Sequence, residues 1–149
     1  MKIVQFEGKQ ITGIGMRTNN ANEMNPETSR IATIHQKFDK KVSVNYKNGA
    51  RVYGVYYDYE SDYSGEFSVL AGTDQSDIAM TGDLEKISIP GGKYMVFEAK
   101  GEVPQIVIET WSKIWSYFSK GDTQYQRAYI TDFEFYKNQN ELEIYISVK

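Results

Sequence analysis

Hydrophobic and polar residues alternate along most of the chain, which is typical of strands in a sheet that buries one face. The strands are predicted over residues 2–18 (one or two strands), 50–60, 65–73, 81–101 (a pair broken by IPGG), 127–137 and 141–149. Turn-rich segments join the second to the third and the fifth to the sixth of these ranges, so each pair is predicted to be a hairpin.

Two segments change to the spacing of three and four residues that indicates an amphipathic helix. The first helix is predicted to begin near Pro26, with Asn25 as its cap, and to end near residues 39–43. Its apolar face would contain Ile31, Ile34 and Phe38. His35 is expected on its solvent-facing surface.

The second helix is the clearer of the two. It is predicted from Val103 to about Lys120, with Pro104 in its first turn and Gly121 as its stop. One face would carry Ile108, Trp111, Trp115 and Phe118, flanked by Ile114. Such a stripe usually packs into a core, although an indole N–H that needs a partner also suits the wall of a pocket.

The two halves of the chain, about residues 1–75 and 82–149, follow the same order of strand, helix, strand, turn and strand. A shift of 77 positions aligns Ile34 with Trp111, Phe38 with Trp115, Tyr57 with Glu134 and Tyr59 with Tyr136. This similarity predicts that residues 1–149 form a single domain built from a duplicated β-α-β-β unit. Two such units would leave a cleft where they meet.

The composition narrows the classes of function. A net charge of −3 with scattered Lys and Arg disfavours nucleic acid as a partner, and no apolar run approaches the roughly 20 residues of a membrane span. One histidine and no cysteine argue against a zinc site, a catalytic triad and disulfides. We therefore expect no metal, cofactor or catalytic residue, and a cytoplasmic protein.

Tyrosine is the one anomaly, with 12 residues, five of them in the stretch ARVYGVYYDYESDY. A phenol offers an apolar face, a negative quadrupole and a hydroxyl, which suit a surface that holds a ligand. Tyr53, Tyr57 and Tyr59 would share one strand face and Tyr56 the other. These tyrosines either line the cleft or decorate an exposed sheet with their hydroxyls in water.

The segment TDFEFYK contains the other candidate for binding chemistry. Phe133 and Phe135 would face one side of the strand, and Asp132, Glu134 and Tyr136 the other. Spacing alone favours a sheet with its acids in water, because glutamate is almost never fully buried without a partner.

Four features of residues 84–149 together point to a known family. They are a strand of the form IP-x-G-x-Y-x-V-F, a helix with tryptophans, the motif D-F-E-x-Y and a terminal IYI-x-V. In these the chain resembles the GyrI-like family, the effector-binding domain of AraC-type and multidrug-responsive bacterial transcription activators. ITGIGMRT and VYGVYYDYE extend the resemblance more loosely into the first half. Those activators carry a preceding helix-turn-helix, so the sequence is identified as a stand-alone member.

The resemblance implies an α+β fold with an antiparallel sheet, two main helices and a central, aromatic-lined ligand cleft. It also changes the interpretation of Glu134, which would be a buried carboxylate that neutralises cationic drugs. The other residues that we expect to bind the ligand are Tyr57, which aligns with Glu134, and Trp111, Trp115, Tyr53, Tyr94, Tyr145 and Phe38.

We therefore expect a small-molecule-binding module whose ligand is a lipophilic aromatic cation, with a possible protein partner that supplies the output. Two alternatives stay open. Some GyrI-like proteins are hydrolases of electrophilic small molecules, and Glu134 would then act as a general base. Others bind a DNA-processing enzyme, for which the acidic turns DYESDYSGE and TDQSD could imitate phosphates.

Overall fold

The computed structural model describes residues 1–121 and 123–149. Segments in which hydrophobic and polar residues alternate form its strands, and segments with apolar residues at helical spacing form its longer helices. The elements are β1 (Lys2–Phe6), β2 (Lys9–Asn19), α1 (Asn20–Met24), α2 (Ile31–Lys41), β3 (Val52–Tyr57), β4 (Glu66–Thr73), β5 (Leu84–Ile89), β6 (Gly92–Lys100), α3 (Gln105–Phe118), β7 (Thr131–Asn138) and β8 (Glu141–Ser147). Within these described ranges, no helix is both long enough and apolar enough to span a membrane.

The strands form one antiparallel sheet in the order β1-β6-β8-β7-β3-β4-β2-β5. This order is symmetric about its centre: strands β1 to β4 take the same places from one edge as strands β5 to β8 take from the other. β3 and β7 meet at the centre, and the first strand of each half crosses over, so that β1 pairs with β6 and β5 with β2. The predicted α+β fold is confirmed. Each half has one strand more than the β-α-β-β unit, because residues 2–18 and 81–101 each form two strands, as the pair predicted over 81–101 requires.

The two longer helices pack on one side of the sheet, which we call the helical face. α2 lies on β2 and β4, and α3 contacts β6 and β8. Ile34 and Phe38 anchor α2, and Ile114 anchors α3 against a cluster formed by Leu142, Ile144 and Ile146. Because the helices lie over the outer strands, none of the helices in the described part of the chain lies directly above the central strands β3 and β7.

The opposite side of the sheet, the inner face, encloses a second core. All eight strands contribute to it, through Phe6, Ile11, Tyr53, Val55, Leu70, Ile89, Tyr94, Phe133 and Tyr145. Phe133 and Tyr145 stack with their ring centroids 4.4 Å apart. The loops that follow β1 and β5 touch, since Gly8 lies against the backbone of Gly91. The sheet is therefore curled around these rings.

The first helix starts later than predicted. Asn25 does not cap it, because its Oδ1 accepts from the backbone N–H of Glu27 (3.0 Å) and so forms a local turn around Pro26. α2 begins at Ile31, where Glu23 Oε1 accepts from the backbone N–H groups of Arg30 (2.9 Å) and Ile31 (3.0 Å). A carboxylate that lies seven residues before Arg30 and eight before Ile31 thus satisfies the helix start, which local capping rules do not anticipate.

The second helix matches its predicted position. α3 starts directly after Pro104, and Gly121 adopts the left-handed conformation (φ 76°) that favours glycine beyond a helix end. Ile114 is fully buried against the sheet, while Ile108 is 62 % exposed, so the apolar residues of this helix face two directions.

Candidate functional site

A cavity of about 1390 Å³ lies on the helical face between α2 and α3. β3 and β7 form its floor, because the helices leave these central strands uncovered. Ligand pockets of proteins usually measure about 300–1000 Å³, so this cavity admits a drug-sized molecule. Its walls include His35 from α2 and Trp111 and Trp115 from α3.

The register of β3 and β7 determines which side chains reach the floor. Residues directly opposite each other in an antiparallel pair point to the same face. Gly54 lies opposite Glu134, and Val52 lies opposite Tyr136. A Cβ atom at position 54 would lie 2.6 Å from Glu134 Oε1 and 3.2 Å from His35 Nε2. The glycine therefore provides the space that the carboxylate occupies.

Glu134 is a buried carboxylate, with a relative exposure of 1 %. Its hydrogen bonds come from the hydroxyl of Tyr56 (2.9 Å, to Oε2), the indole N–H of Trp111 (2.8 Å, to Oε2) and the hydroxyl of Tyr136 (2.7 Å, to Oε1). All three donors are neutral. Among the residues that the structure describes, no lysine or arginine forms an ion pair with it. Its hydrogen bonds are satisfied, but its charge is not compensated.

The two phenols that bind Glu134 keep their protons. Burial raises the pKa of Tyr56 well above its ordinary value, and the negative charge of Glu134 raises it further. The same two causes, in the same order, raise the pKa of Tyr136. Both hydroxyls therefore remain donors to the carboxylate across the physiological pH range.

Aromatic rings continue from this carboxylate along the cavity. Tyr56 lies between Trp111 and Phe67, with ring centroids 5.2 Å and 5.9 Å away, and Tyr59 follows at 5.7 Å from Phe67. The exposed apolar residues of the rim are Met24, Tyr46, Tyr63, Val103, Ile108 and Trp115. The accessible lining is thus mainly apolar and aromatic.

The neighbouring acid on β7 has a different environment. Asp132 is fully buried and accepts from Arg127 Nη2 (2.7 Å), from the backbone N–H of Ser147 (2.9 Å) and from the hydroxyl of Tyr59. Arg127 and Tyr59 both line the cavity. One acid of this strand is therefore paired with an arginine, whereas Glu134 is not.

The structure brings three of the predicted site residues together: Glu134, Trp111 and Trp115. Trp111 contacts the carboxylate directly through its N–H group. Trp115 lies one helical turn further on and remains 38 % exposed at the mouth, where its ring packs against Tyr63 at 5.4 Å. The helix face that carries both tryptophans is a cavity wall more than a core contact.

Four predicted tyrosines lie on the inner face, away from the cavity: Tyr53, Tyr57, Tyr94 and Tyr145. Their hydroxyls form hydrogen bonds at the edge of that core. Tyr94 donates to the carbonyl of Pro90 (2.7 Å), and Tyr57 donates to the carboxylate of Glu85 (3.1 Å). The placement of Tyr57 opposite Glu134 is wrong, because Glu134 lies opposite Gly54 and Tyr57 is three residues from Gly54, so the odd shift of 77 does not fit this register. In a strand with a period of two, an odd shift moves every side chain to the other face.

Two further expectations are corrected. Phe38 is fully buried between α2 and the sheet, so it belongs to the core and not to the cavity. Tyr59 does not share a face with Tyr53 and Tyr57. Asp58 takes a left-handed conformation (φ 50°), which ends the alternation of β3 and directs Tyr59 to the cavity side.

Four residues at the site are not among those expected from the sequence to bind the ligand: Tyr56, Tyr136, His35 and Gly54. Alternation places Tyr136 on the same face as Glu134, so this tyrosine could have been found from the motif itself. His35 was expected at the helix surface, but it lines the cavity, with its ring 6.0 Å from that of Tyr136. The part played by Gly54 depends on its cross-strand partner, which the sequence does not reveal.

Comparisons with known proteins agree with this architecture. The family model for Cass2, the integron-associated effector binding protein, matches residues 2–148. A solved integron cassette protein from the mobile metagenome of Vibrio cholerae is 39 % identical, with a TM-score of 0.89 over 99 % of this chain and 95 % of that chain. No curated protein sequence matches.

Two more distant structures share the fold. A protein of Staphylococcus aureus is 20 % identical, with a TM-score of 0.73 over 99 % of this chain and 97 % of that one. SAV2435, solved with bound tetraphenylphosphonium, is also 20 % identical, with a TM-score of 0.66 over 99 % of this chain and 93 % of its own. The resemblance to the GyrI-like effector-binding domains is confirmed, and the chain belongs to the family of integron-associated effector-binding proteins.

Proposed function

We propose that this protein binds a lipophilic aromatic cation, without changing it chemically, in the cavity between α2 and α3. The observation that carries the proposal is a buried carboxylate, Glu134, whose described partners are three neutral donors and no basic residue. Membership of an effector-binding family already makes the protein a small-molecule-binding module. The proposal adds the charge of the ligand and the residue that recognises it.

A cation in this cavity would gain from both charge and ring contacts. At an effective dielectric constant of about 20, two unit charges about 4 Å apart attract each other by roughly 4 kcal/mol. Each well-placed aromatic face adds about 0.5–2 kcal/mol of cation–π attraction. A lipophilic cation loses little hydration when it leaves water, so it keeps more of this gain than a metal ion or an ammonium ion.

The solved relative with a bound cation supports the same ligand class. SAV2435 holds tetraphenylphosphonium, in which four phenyl rings shield a single positive charge. The aromatic rings of the present cavity suit such a shape. The cavity volume of about 1390 Å³ exceeds that of a usual pocket, so we expect the site to accept different ligands of this class, one at a time.

The proposal is tested by titrating the protein with tetraphenylphosphonium and following tryptophan fluorescence, since Trp111 contacts Glu134. Glu134→Gln keeps an acceptor oxygen and nearly the same volume but removes the charge. We expect it to raise the Kd by about ten- to a hundredfold. Mass spectrometry of the recovered ligand should show an unchanged mass.

Glu98→Gln is the matched control, because Glu98 is an exposed acid on β6 that pairs with Lys2. It removes the same charge from the protein as a whole and should leave the Kd unchanged. Neutral triphenylphosphine oxide should bind wild type and Glu134→Gln equally. If Glu134→Gln binds tetraphenylphosphonium as tightly as wild type, Glu134 is not the counter-charge.

A further inference from the structure

We propose that Arg127 forms a second polar subsite in this cavity, which binds an acceptor oxygen of the ligand. The preferred ligand would then be an aromatic cation that also carries a carboxylate or carbonyl group. The inference rests on the proposed function, because Arg127 and Glu134 line the same cavity.

Arg127 has hydrogen-bonding capacity that its surroundings do not use. Its side chain is 7 % exposed, and a guanidinium group carries five N–H donors. Among residues 1–121 and 123–149, its guanidinium donates one hydrogen bond, from Nη2 to Asp132 Oδ2 (2.7 Å). Nε is buried without any partner in that part of the chain. Buried donors are normally paired, and Arg127 lines the cavity, so the Nη donors that its single hydrogen bond leaves unused are available to an acceptor oxygen of a ligand.

The guanidinium is also held in a fixed orientation. It lies over the ring of Tyr129, 4.3 Å from the centroid, and 5.8 Å from the ring of Trp115. Asp132 holds one edge of the fork and is itself fixed by Ser147. A planar group held between rings and an acid is preorganised, so little conformational entropy is lost when an oxygen binds it.

Backbone conformation around this group is unusual. Asp58 (φ 50°) and Tyr129 (φ 53°) are the non-glycine residues in the left-handed region within the described chain. The first directs Tyr59 toward Asp132, and the second places its ring beneath Arg127. Such conformations persist only where the surrounding structure imposes them, and they concentrate at functional sites.

The spacing of the two subsites matches the two ends of a drug-sized molecule. Asp132 and Glu134 are separated by two residues on β7, which corresponds to about 7 Å along a strand. Because Arg127 lies beside Asp132, the acceptor site is about 7–10 Å from the carboxylate of Glu134. Trp111 and Trp115, one helical turn apart, line the path between them.

Three phosphonium probes separate the two subsites. (4-Carboxybutyl)triphenylphosphonium carries an acid on a chain of suitable length, its methyl ester carries a neutral acceptor, and pentyltriphenylphosphonium carries no acceptor. We expect wild type to bind the acid about ten- to a hundredfold more tightly than the pentyl compound, with the ester between them. Equal affinity of wild type for the acid and the pentyl compound would overturn the inference.

Variants locate the effect. Arg127→Met combined with Asp132→Asn removes both charges of the pair, so that neither is left buried alone, and it should equalise the three probes. If the double variant does not fold, Arg127→Lys takes its place. This variant keeps a charge beside Asp132 but loses the planar guanidinium, and it should reduce the preference for the acid over the pentyl compound. A preference for the acid that is as large as in wild type, in whichever of these variants folds, would place the acceptor site elsewhere.

Glu134→Gln distinguishes this inference from the function on which it rests. This substitution should raise the Kd of all three probes by a similar factor, so the ratios between their Kd values should stay the same. If the pentyl compound binds in a manner that depends on Glu134 but the acid binds no better, the cation site stands and the Arg127 subsite is wrong. If none of the probes binds wild type, the proposed function fails and the subsite fails with it.

Discussion

The central strands β3 and β7 carry aromatic residues on both faces, and the two faces differ in what they do. On the inner face, Tyr53 and Phe133 pack inside a curled sheet. On the helical face, Tyr56 and Tyr136 turn their hydroxyls toward one buried carboxylate beside a cavity. The same residue types in the same strands thus build a core on one side and a candidate ligand site on the other.

The difference lies in what covers each face. The inner face closes on itself, because the loops after the two edge strands touch at Gly8 and Gly91. The helical face stays open over the centre, because α2 and α3 lie over the outer strands. An excess of tyrosine therefore does not by itself indicate a ligand site. A buried acid with donors but no counter-charge is the more specific signal.

Removal of an aromatic ring from the inner face should change the stability of the protein most. Phe133 is 1 % exposed and contacts Phe6, Tyr94 and Tyr145. Phe133→Ala should lower the free energy of unfolding by about 3–5 kcal/mol, measured by urea denaturation. At a temperature where the variant is folded, its Kd for tetraphenylphosphonium should stay within about threefold of wild type. A specific loss of binding in the folded variant would mean that the two faces are not independent.

Gly54→Ala tests the helical face, and its effect should fall on binding. The added methyl group would lie 2.6 Å from Glu134 Oε1, closer than non-bonded atoms approach. The carboxylate must move, so the Kd for tetraphenylphosphonium should rise at least about tenfold, and stability should fall by about 1–3 kcal/mol.

The combination of Gly54→Ala with Glu134→Ala is the control for this prediction. Removing the carboxylate removes the clash, so the two substitutions should be less destabilising together than the sum of each alone. If Gly54→Ala binds the cation like wild type, the carboxylate does not need its present position.

The sequence predicted the strands well because the inner face takes apolar residues at alternate positions, as in the segment TDFEFYK, although both faces of this strand are buried. It also predicted α3, whose flanking Pro104 and Gly121 are local signals. It did not predict the start of α2, because the cap comes from Glu23, a contact that exists only in the folded chain.

Prediction of the site was more limited. Spacing alone favoured an exposed Glu134, and the family resemblance was needed to suggest a buried one. The choice of Tyr57 over Tyr56 failed because an alignment of two halves with an uncertain register cannot fix the face of a strand. Gly54 has no signal of its own, since its function depends on the residue opposite, which only the β3–β7 register defines.

A matched pair of tyrosines in β3 tests whether the two faces of this strand differ in energy. Tyr56→Phe removes one donor from the buried carboxylate, which should lower the free energy of unfolding by about 1–2 kcal/mol. A bound cation compensates the same charge, so tetraphenylphosphonium should bind this variant at least as tightly as it binds wild type. Thermal unfolding with and without ligand measures both effects.

Tyr57→Phe serves as the control, because this hydroxyl bonds Glu85 at an exposed edge of the inner face. It should change stability by less than about 0.5 kcal/mol and leave cation binding unaltered. If the two variants behave alike, the distinction between the faces of β3 has no energetic basis.

Titration of Tyr94 on the inner face should cause a modest loss of stability at alkaline pH. Burial raises the pKa of Tyr94 to about 12, whereas an unfolded tyrosine titrates near pH 10. The folded protein therefore keeps a proton that the unfolded chain releases. The contribution of Tyr94 to the free energy of unfolding is fully present below about pH 10 and is lost as the pH rises toward 12. The loss is about 1 kcal/mol between pH 9 and pH 11.

Urea unfolding at pH 9 and pH 11 measures this loss. Tyr94→Phe should be less stable than wild type at pH 9 and at pH 11, since it lacks the hydrogen bond to Pro90. Its loss of stability between these two pH values should, however, be smaller than that of wild type by about 1 kcal/mol. An identical pH dependence in both proteins would show that Tyr94 titrates as it does in the unfolded chain, and that its hydroxyl is not held in the core.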